Sequence, residues 1–505
     1  MLQDSRQAIQ SDPRLKWVLL GGLIIQLATS ITAIGTSSAD QHFQIIEFSM
    51  HQLNEPSGAA YVWEMQHFVR PTLQVHIFSV YHLACNFIGL HDPYAQLTLL
   101  RILLGLGMFA VFNLLAIHYF KKERPQILFY VLLLVNFSWC LPYTRTLFSS
   151  EMVSSVFFFG TLLLYEKKKD AWKGFLFPVA IGFLFSLAFY FRFQMAAAMA
   201  GFAIWLLFFQ KNYRAILPML AGFIIGAALN TYLDFAFYKE WVVTPYAYFH
   251  VNINEGRASQ FGTSSFMRYI GLILLVAPAP LFSIVFFYYS IKAFFSKYRN
   301  PVFLSVMLFI IAHCFVGHKE ERFLFPIFNA LPLVIGWGIA DLQHFYTHTK
   351  KWVRHILKGL LVFTIVLNTL FVIIFSVVPY SQTIRFSYLL KNRFENEPVT
   401  LYCLGQTPFE TPNGSPMMFY KSGAKNITLA KVTNTDTLRH LPAGAYVSAT
   451  YNDIKEHKAE LEKIGLQPVM HSSDLLWGVN ELLHAKNVNT INEIWVLYKK
   501  VETNF

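Results

Sequence analysis

His318-Lys319-Glu320-Glu321-Arg322 stands between two membrane-grade apolar runs, 301–316 (PVFLSVMLFIIAHCFV) and 323–340 (FLFPIFNALPLVIGWGIA). Consecutive ionisable side chains cannot lie in hydrocarbon, where each charge costs about 2.5–3.5 kcal/mol on insertion scales. They must face water, a polar cavity or one another. One reading is a charged hairpin that stops two helices. An ordinary connector would use Gly, Asn or Ser instead. One His, two bases and two acids followed at once by Phe-Leu-Phe-Pro make an unusual turn.

Outward from that turn, the chain carries the composition of a polytopic membrane protein. Of its 505 residues 55% are hydrophobic and 14% charged, against about 25% charged in soluble domains. The net charge is +12, from 41 Lys+Arg and 29 Asp+Glu. The bases cluster in short connectors between apolar runs, the pattern of topology signals and contact with anionic lipid rather than with nucleic acid. Cys85, Cys140, Cys314 and Cys403 are scattered, which suggests neither a disulfide framework nor a metal site. The first apolar run is too long for a removable signal peptide and lacks a small-residue cleavage site, so it is expected to remain as the first span.

With about 20 apolar residues needed to cross a bilayer, candidate spans fall near 15–36, 95–119, 126–142, 147–165, 173–190, 193–209, 214–236, 266–290, 301–316, 323–343 and 355–379. Basic clusters at Arg14/Lys16, Lys121-Lys122-Glu123-Arg124, Lys167-Lys168-Lys169, Lys211/Arg214, Lys292/Lys297/Arg299 and Lys350-Lys351/Arg354 then occupy alternate connectors. The positive-inside rule makes that side cytoplasmic. The other side holds the longer, polar connectors, where function concentrates.

Two outer segments are long enough to fold. In the first loop (37–93), Phe43, Ile46, Met50 and Leu53 recur at helical spacing, and Pro71 can open a helix with Leu73, Ile77, Val80 and Ala84 on one face. Both helices are expected to lie in the membrane interface. In the tail, 401–404, 427–430, 445–448 and 494–498 are short β-like runs, and 453–464 (DIKEHKAELEKI) reads as a helix. This predicts a small extracytoplasmic α/β domain over 381–505, following a membrane domain over 1–380. The sequons at Asn413 and Asn426 have meaning only in a eukaryotic cell.

His318-Lys319-Glu320-Glu321-Arg322-Phe323-Leu324-Phe325-Pro326 resembles the signature of glycosyltransferase family 22. These are multi-spanning GT-C α-mannosyltransferases that use dolichyl-phosphate-mannose in GPI-anchor and N-glycan precursor assembly. Other motifs follow in family order over about residues 15–330, and none is claimed for the tail.

Asp40 opens the first outer loop, where a carboxylate could take the proton of an attacking sugar hydroxyl. A capping arrangement is the alternative, since Ser38 and Gln41 form a Ser-x-x-Gln box and an acid suits a helix N-terminus. The resemblance matches Asp40 to the family's presumed catalytic base and fits His42, Phe43 and Gln44 beyond it. Gln41 replaces the family's second acid. Trp63-Glu64 and Arg70 also resemble a family pattern. Glu64 could orient acceptor hydroxyls, although a Glu64–Arg70 pair that fixes the loop is the preferred reading.

Arg145-Thr146 with Ser149-Ser150-Glu151, and the stretch from Asp234 and Tyr238 to Gly262-Thr263, fit the family as well. A lipid-phosphate donor needs interfacial cations, and Arg offers bidentate contacts. A single Arg would merely snorkel to the headgroups. Arg145, Arg192, His318, Lys319 and Arg322 on one face suggest a phosphate pocket, with Glu320 and Glu321 organising its turn.

The apolar runs give an all-α polytopic protein of about eleven spans, and the resemblance implies that it is of GT-C type and makes an inverting transfer of mannose or another hexose. The donor would be a polyprenyl- or dolichyl-phosphate sugar and the acceptor a glycan or glycolipid hydroxyl. No cofactor or metal is indicated. The expected partners are these substrates and membrane lipid. The membrane would be a bacterial inner membrane or, in a eukaryote, the endoplasmic reticulum, with the reaction on the extracytoplasmic or lumenal face. A different GT-C transferase is the nearer alternative. A flippase would predict inverted repeats or paired broken helices, which the sequence does not show.

Overall fold

A computed structural model describes residues 12–36, 38–168, 174–276, 280–296, 298–486, 488–491 and 493–502. Lys169 and Lys297 of the expected basic connectors lie outside the described residues, as do 277–279 of the expected span 266–290. The chain divides into two units. The first comprises Met1–Ala33, His67–Gln74 and Leu100–Val378, and the second Ile34–Gln66, Val75–Leu99 and Pro379–Phe505. The sequence places the first outer loop with the spans; most of that loop instead clusters with the tail.

The first unit is helical, and each expected span contains helix. Among the described residues four helices are long and apolar enough to cross a membrane: Arg14–Thr32, Pro93–Lys121, Tyr213–Tyr238 and Lys351–Val377. Shorter apolar helices run over Pro125–Phe137, Leu176–Phe191, Met195–Gln210 and Pro301–Phe315. The expected single span 323–343 is broken, with Glu321–Phe328 and Leu331–His348 meeting at a 65° bend. Pro326 and Pro332 sit in the first turns of Phe325–Phe328 and Leu331–His348. Neither proline can donate to a preceding turn, so each begins a helix instead of continuing one.

Small residues let these helices meet at the backbone. A Cβ on Gly182 would lie 1.8 Å from the Met219 carbonyl oxygen, and one on Gly222 1.9 Å from that of Val179. Leu176–Phe191 and Ile216–Tyr238 therefore pack with main chains in contact, the small-residue device of helices in lipid. The opposite side of Ile216–Tyr238 exposes Leu217, Leu220, Ile224 and Ile225, and most of Lys351–Val377 is likewise bare and apolar. Such continuous apolar exposure fits a membrane-embedded protein, whose solvent there is hydrocarbon.

In the second unit a five-stranded sheet has the order β2-β1-β3-β5-β4, with β1 Val399–Leu404, β2 Ile427–Val432, β3 Tyr446–Thr450, β4 Leu466–His471 and β5 Trp495–Lys500. β1 pairs parallel with β2 and β3, while β5 runs antiparallel to β3 and β4. Leu404, Val447, Ala449, Leu466 and Val496 share its core. The helix expected over 453–464 divides into Tyr451–Ile454 and Lys458–Lys463.

Of the two expected loop helices the first departs from expectation, while the second keeps an exposed apolar face that includes Ile77 and Val80. Ala39–Gln41, a π-turn over His42–Glu47 and Phe48–Gln52 form one continuous segment. It buries Phe43, Ile46 and Met50 but also His42, Glu47 and Ser49. Its Glu47 and Ser49 find partners inside the protein, so this helix is interior rather than interfacial. Leu73–Phe87 buries Val75, Phe78 and Cys85 and leaves Ile77, Val80, Leu83 and Phe87 exposed.

Candidate active site

Glu320 organises the charged turn. Its carboxylate lies 3.0 Å from His318 Nε2 and accepts from Arg322 Nε at 2.5 Å and from Arg322 Nη2 at 3.1 Å. The other His318 ring nitrogen donates to the Gly262 carbonyl at 2.9 Å. Lys319 is buried; its ammonium donates to the carbonyls of Ser264 (3.2 Å) and Val316. Tyr269 donates its hydroxyl to the Glu320 carbonyl at 3.1 Å. Glu321 pairs with Arg268 at 3.0 Å, both side chains being open to solvent. The turn is thus an ordered knot of opposite charges tied to residues 262–269.

Arg192 joins this group from the C-terminal end of Leu176–Phe191. Its guanidinium lies 5.0 Å from the Phe323 ring and 2.9 Å from the Glu151 carboxylate, and both charged side chains are over nine-tenths buried. Such a pair persists only while both partners remain, because removing one leaves an uncompensated interior charge. Glu151 lies in the first turn of Ser150–Lys167, which Ser149 caps by accepting from the Met152 N–H.

Arg145 has a different place from the one expected. It is 1% exposed, and its guanidinium donates to Asn329 Oδ1 and to the Val135 carbonyl, each at 2.6 Å. Both acceptors belong to the helix packing, which makes Arg145 an internal strut. Of the five expected cations, His318, Lys319 and Arg322 share the turn, and Arg192 reaches Phe323 beside it.

The first loop supplies the other candidates. Ser38 accepts from the Gln41 N–H at 3.4 Å, so the cap read as the alternative is present, with half-buried Asp40 in the first helical turn. Gln44 donates to the buried Glu64 at 2.9 Å. His42 Nε2 lies 2.8 Å from the Glu47 carboxylate. Arg70, in the first unit, has its guanidinium 5.9 Å from the Tyr248 ring, and its carbonyl accepts from the Tyr238 hydroxyl at 2.8 Å. Nearby, Asp234 accepts from the Thr72 N–H and hydroxyl at 2.7 Å and from the Thr244 hydroxyl at 2.6 Å.

The sequence reading gave Asp234 and Glu151 no role and passed over Glu47. Two signals were available: an acid inside an apolar 23-residue helix for Asp234, and an acid flanked by Ile45, Ile46 and Phe48 for Glu47. Among the described residues no three His, Cys, Asp or Glu side chains group as metal ligands would.

A sequence profile of the Alg9-like mannosyltransferase family matches residues 17–417. The chain belongs to that family. Within 17–417 lie both the first outer loop and the 318–322 turn, so the family's sequence pattern covers every candidate residue named above. The Dol-P-Man:Man(7)GlcNAc(2)-PP-Dol alpha-1,6-mannosyltransferase of Saccharomyces cerevisiae is 28% identical over 162 residues, which are 32% of this chain and 29% of that protein. GPI mannosyltransferase 3 of Debaryomyces hansenii is 21% identical over 422 residues, 79% of this chain and 72% of that protein. The chain therefore spans under a third of the yeast relative's length and nearly three quarters of the Debaryomyces one. Among solved structures, ArnT from Cupriavidus metallidurans bound to undecaprenyl phosphate covers 97% of this chain and 99% of its own, at TM-score 0.50 and 11% identity. That likeness is one of fold: this Alg9-like chain shares the architecture of ArnT.

Proposed function

We propose that this Alg9-like chain transfers mannose from a polyprenyl- or dolichyl-phosphate-mannose to a hydroxyl of a glycan or glycolipid, on the extracytoplasmic or lumenal face of its membrane. The observation that carries the reading is the ordered 318–322 turn, in which His318 and Arg322 are held by a single acid, Glu320. A phosphomonoester-like leaving group needs cationic donors already in place, because oriented charges cost no reorganisation as the bond breaks. Arg322 and His318 would hold the donor phosphate, with Arg192 and Lys319 behind them and Arg145 as a strut. Asp40 would take the proton of the acceptor hydroxyl as its oxygen attacks C1 of the sugar. The C1–oxygen bond to the lipid phosphate breaks, the lipid phosphate leaves with the electron pair, and the configuration at C1 inverts. Gln44 and Glu64 would order the loop that presents Asp40. The reaction is written without a metal or cofactor. Membranes expressing the chain, given radiolabelled polyprenyl-phosphate-mannose, should make a labelled glycolipid or glycan absent from membranes lacking it. Absence of any labelled product with both undecaprenyl and dolichyl donors would count against the reading.

A further inference from the structure

Glu47 is completely buried, yet its carboxylate meets its own π-turn and two other segments of the second unit. One oxygen lies 2.8 Å from His42 Nε2 and accepts from the Phe419 backbone N–H at 3.0 Å. The other accepts from the Gly58 N–H at 2.8 Å. The Glu47 carbonyl takes the Ser57 hydroxyl at 2.7 Å, and the Tyr420 ring stacks on His42 with centroids 5.2 Å apart. The local winding explains the first contact. His42 and Glu47 are the ends of a π-turn, whose repeat brings together residues five apart that an α-helix would separate.

A buried carboxylate is an expensive way to fill space, since an isolated interior charge costs several kcal/mol and an apolar side chain of similar size costs none of that. What the carboxylate adds is direction: two backbone N–H groups and one ring nitrogen fix it on three sides. The segment so fixed carries Asp40, two residues before His42. The segment it is fixed to, Met418–Ser422, lies between β1 and β2 of the C-terminal sheet.

We propose that Glu47 is a positioning residue for the transfer reaction, docking the segment that carries Asp40 onto the 418–422 helix so that the C-terminal region sets where the base stands. This rests on the reading of Asp40 as the base. A misplacement of about 1 Å in a reacting group can cost about 100-fold in rate. Loss of the clamp should therefore act on turnover rather than on donor binding.

The test uses the full chain, purified and monodisperse in detergent. Dolichyl-phosphate-[14C]mannose is the donor and a solvent-extracted glycolipid fraction of the source cells the acceptor. Glu47→Gln should lower kcat about 10–100-fold per folded molecule with the donor KM within about threefold. Glu47→Asp, which keeps a carboxyl group, should recover part of that loss. Asp40→Asn is measured beside them. Wild-type kcat in Glu47→Gln with an inactive Asp40→Asn overturns the positioning role and leaves the base in place. An active Asp40→Asn removes the base reading itself, whatever Glu47→Gln does. If Glu47→Gln does not accumulate, Tyr420→Leu, which removes the ring against His42 and leaves the carboxylate, decides by the same kcat criterion. Unchanged turnover in that folded variant overturns the inference.

Discussion

Arg322 and Glu151 separate phosphate recognition from structural charge pairing. Arg322 is held by Glu320 on the partly open side of its turn, so Arg322→Ala should leave folding nearly intact. It removes a charged hydrogen-bond partner worth about 1.5–3 kcal/mol, which predicts a donor KM raised by about 10–100-fold in normally extractable protein. A variant that merely fails to accumulate would make the turn structural. Glu151 is the opposite case. Glu151→Ala leaves Arg192 buried without its carboxylate, which should cost about 3–5 kcal/mol of stability, read as a lowered Tm in detergent. Glu151→Leu with Arg192→Met should restore most of the stability and none of the activity. Recovery of activity in the double variant would remove Arg192 from the donor site.

The spans were legible because a bilayer imposes a length and an apolarity that the sequence displays directly. The 65° break after Phe328 was not read, although Pro326 and Pro332 mark it. β4 escaped because LQPVMH carries a proline, which β4 tolerates as an edge strand whose pairing with β5 shifts between Pro468 and Met470. The polar face of the first loop helix read as solvated, yet Glu47 finds its partner 372 residues away, at Phe419, beyond any local pattern. Asp40 and the 318–322 turn were visible as motifs; Glu320's role as the common partner of His318 and Arg322 required coordinates. At this scale Gly182→Leu should be poorly tolerated, because even its Cβ would overlap the Met219 carbonyl. Overpacking of this kind costs about 1–3 kcal/mol or more, so folded yield should fall. Gly271, with nothing within 4 Å of an added Cβ, supplies the control: Gly271→Ala should leave yield unchanged. Equal yields for the two variants would contradict the backbone contact between Leu176–Phe191 and Ile216–Tyr238.

Sidedness can be tested on the whole molecule because all four native cysteines are buried. Burial also pushes the Cys403 thiol up to about 11, so it carries little thiolate at neutral pH. Cysteines introduced at exposed Glu240 and Asn413 should react with an impermeant thiol reagent from outside intact cells or sealed lumen-out vesicles, and one at Lys168 should not. Labelling at Lys168 alone would invert the orientation. Whether this chain moves a mannosyl group with Asp40 as base is read most directly in the turnover of Asp40→Asn. Asn keeps the size of the side chain and suits a helix start about as well as Asp, but it cannot take a proton. With radiolabelled dolichyl-phosphate-mannose and the extracted glycolipid acceptor, the wild-type protein should transfer label and folded Asp40→Asn should lose about 10²–10⁴ in kcat. Transfer by Asp40→Asn at a near-normal rate would contradict it.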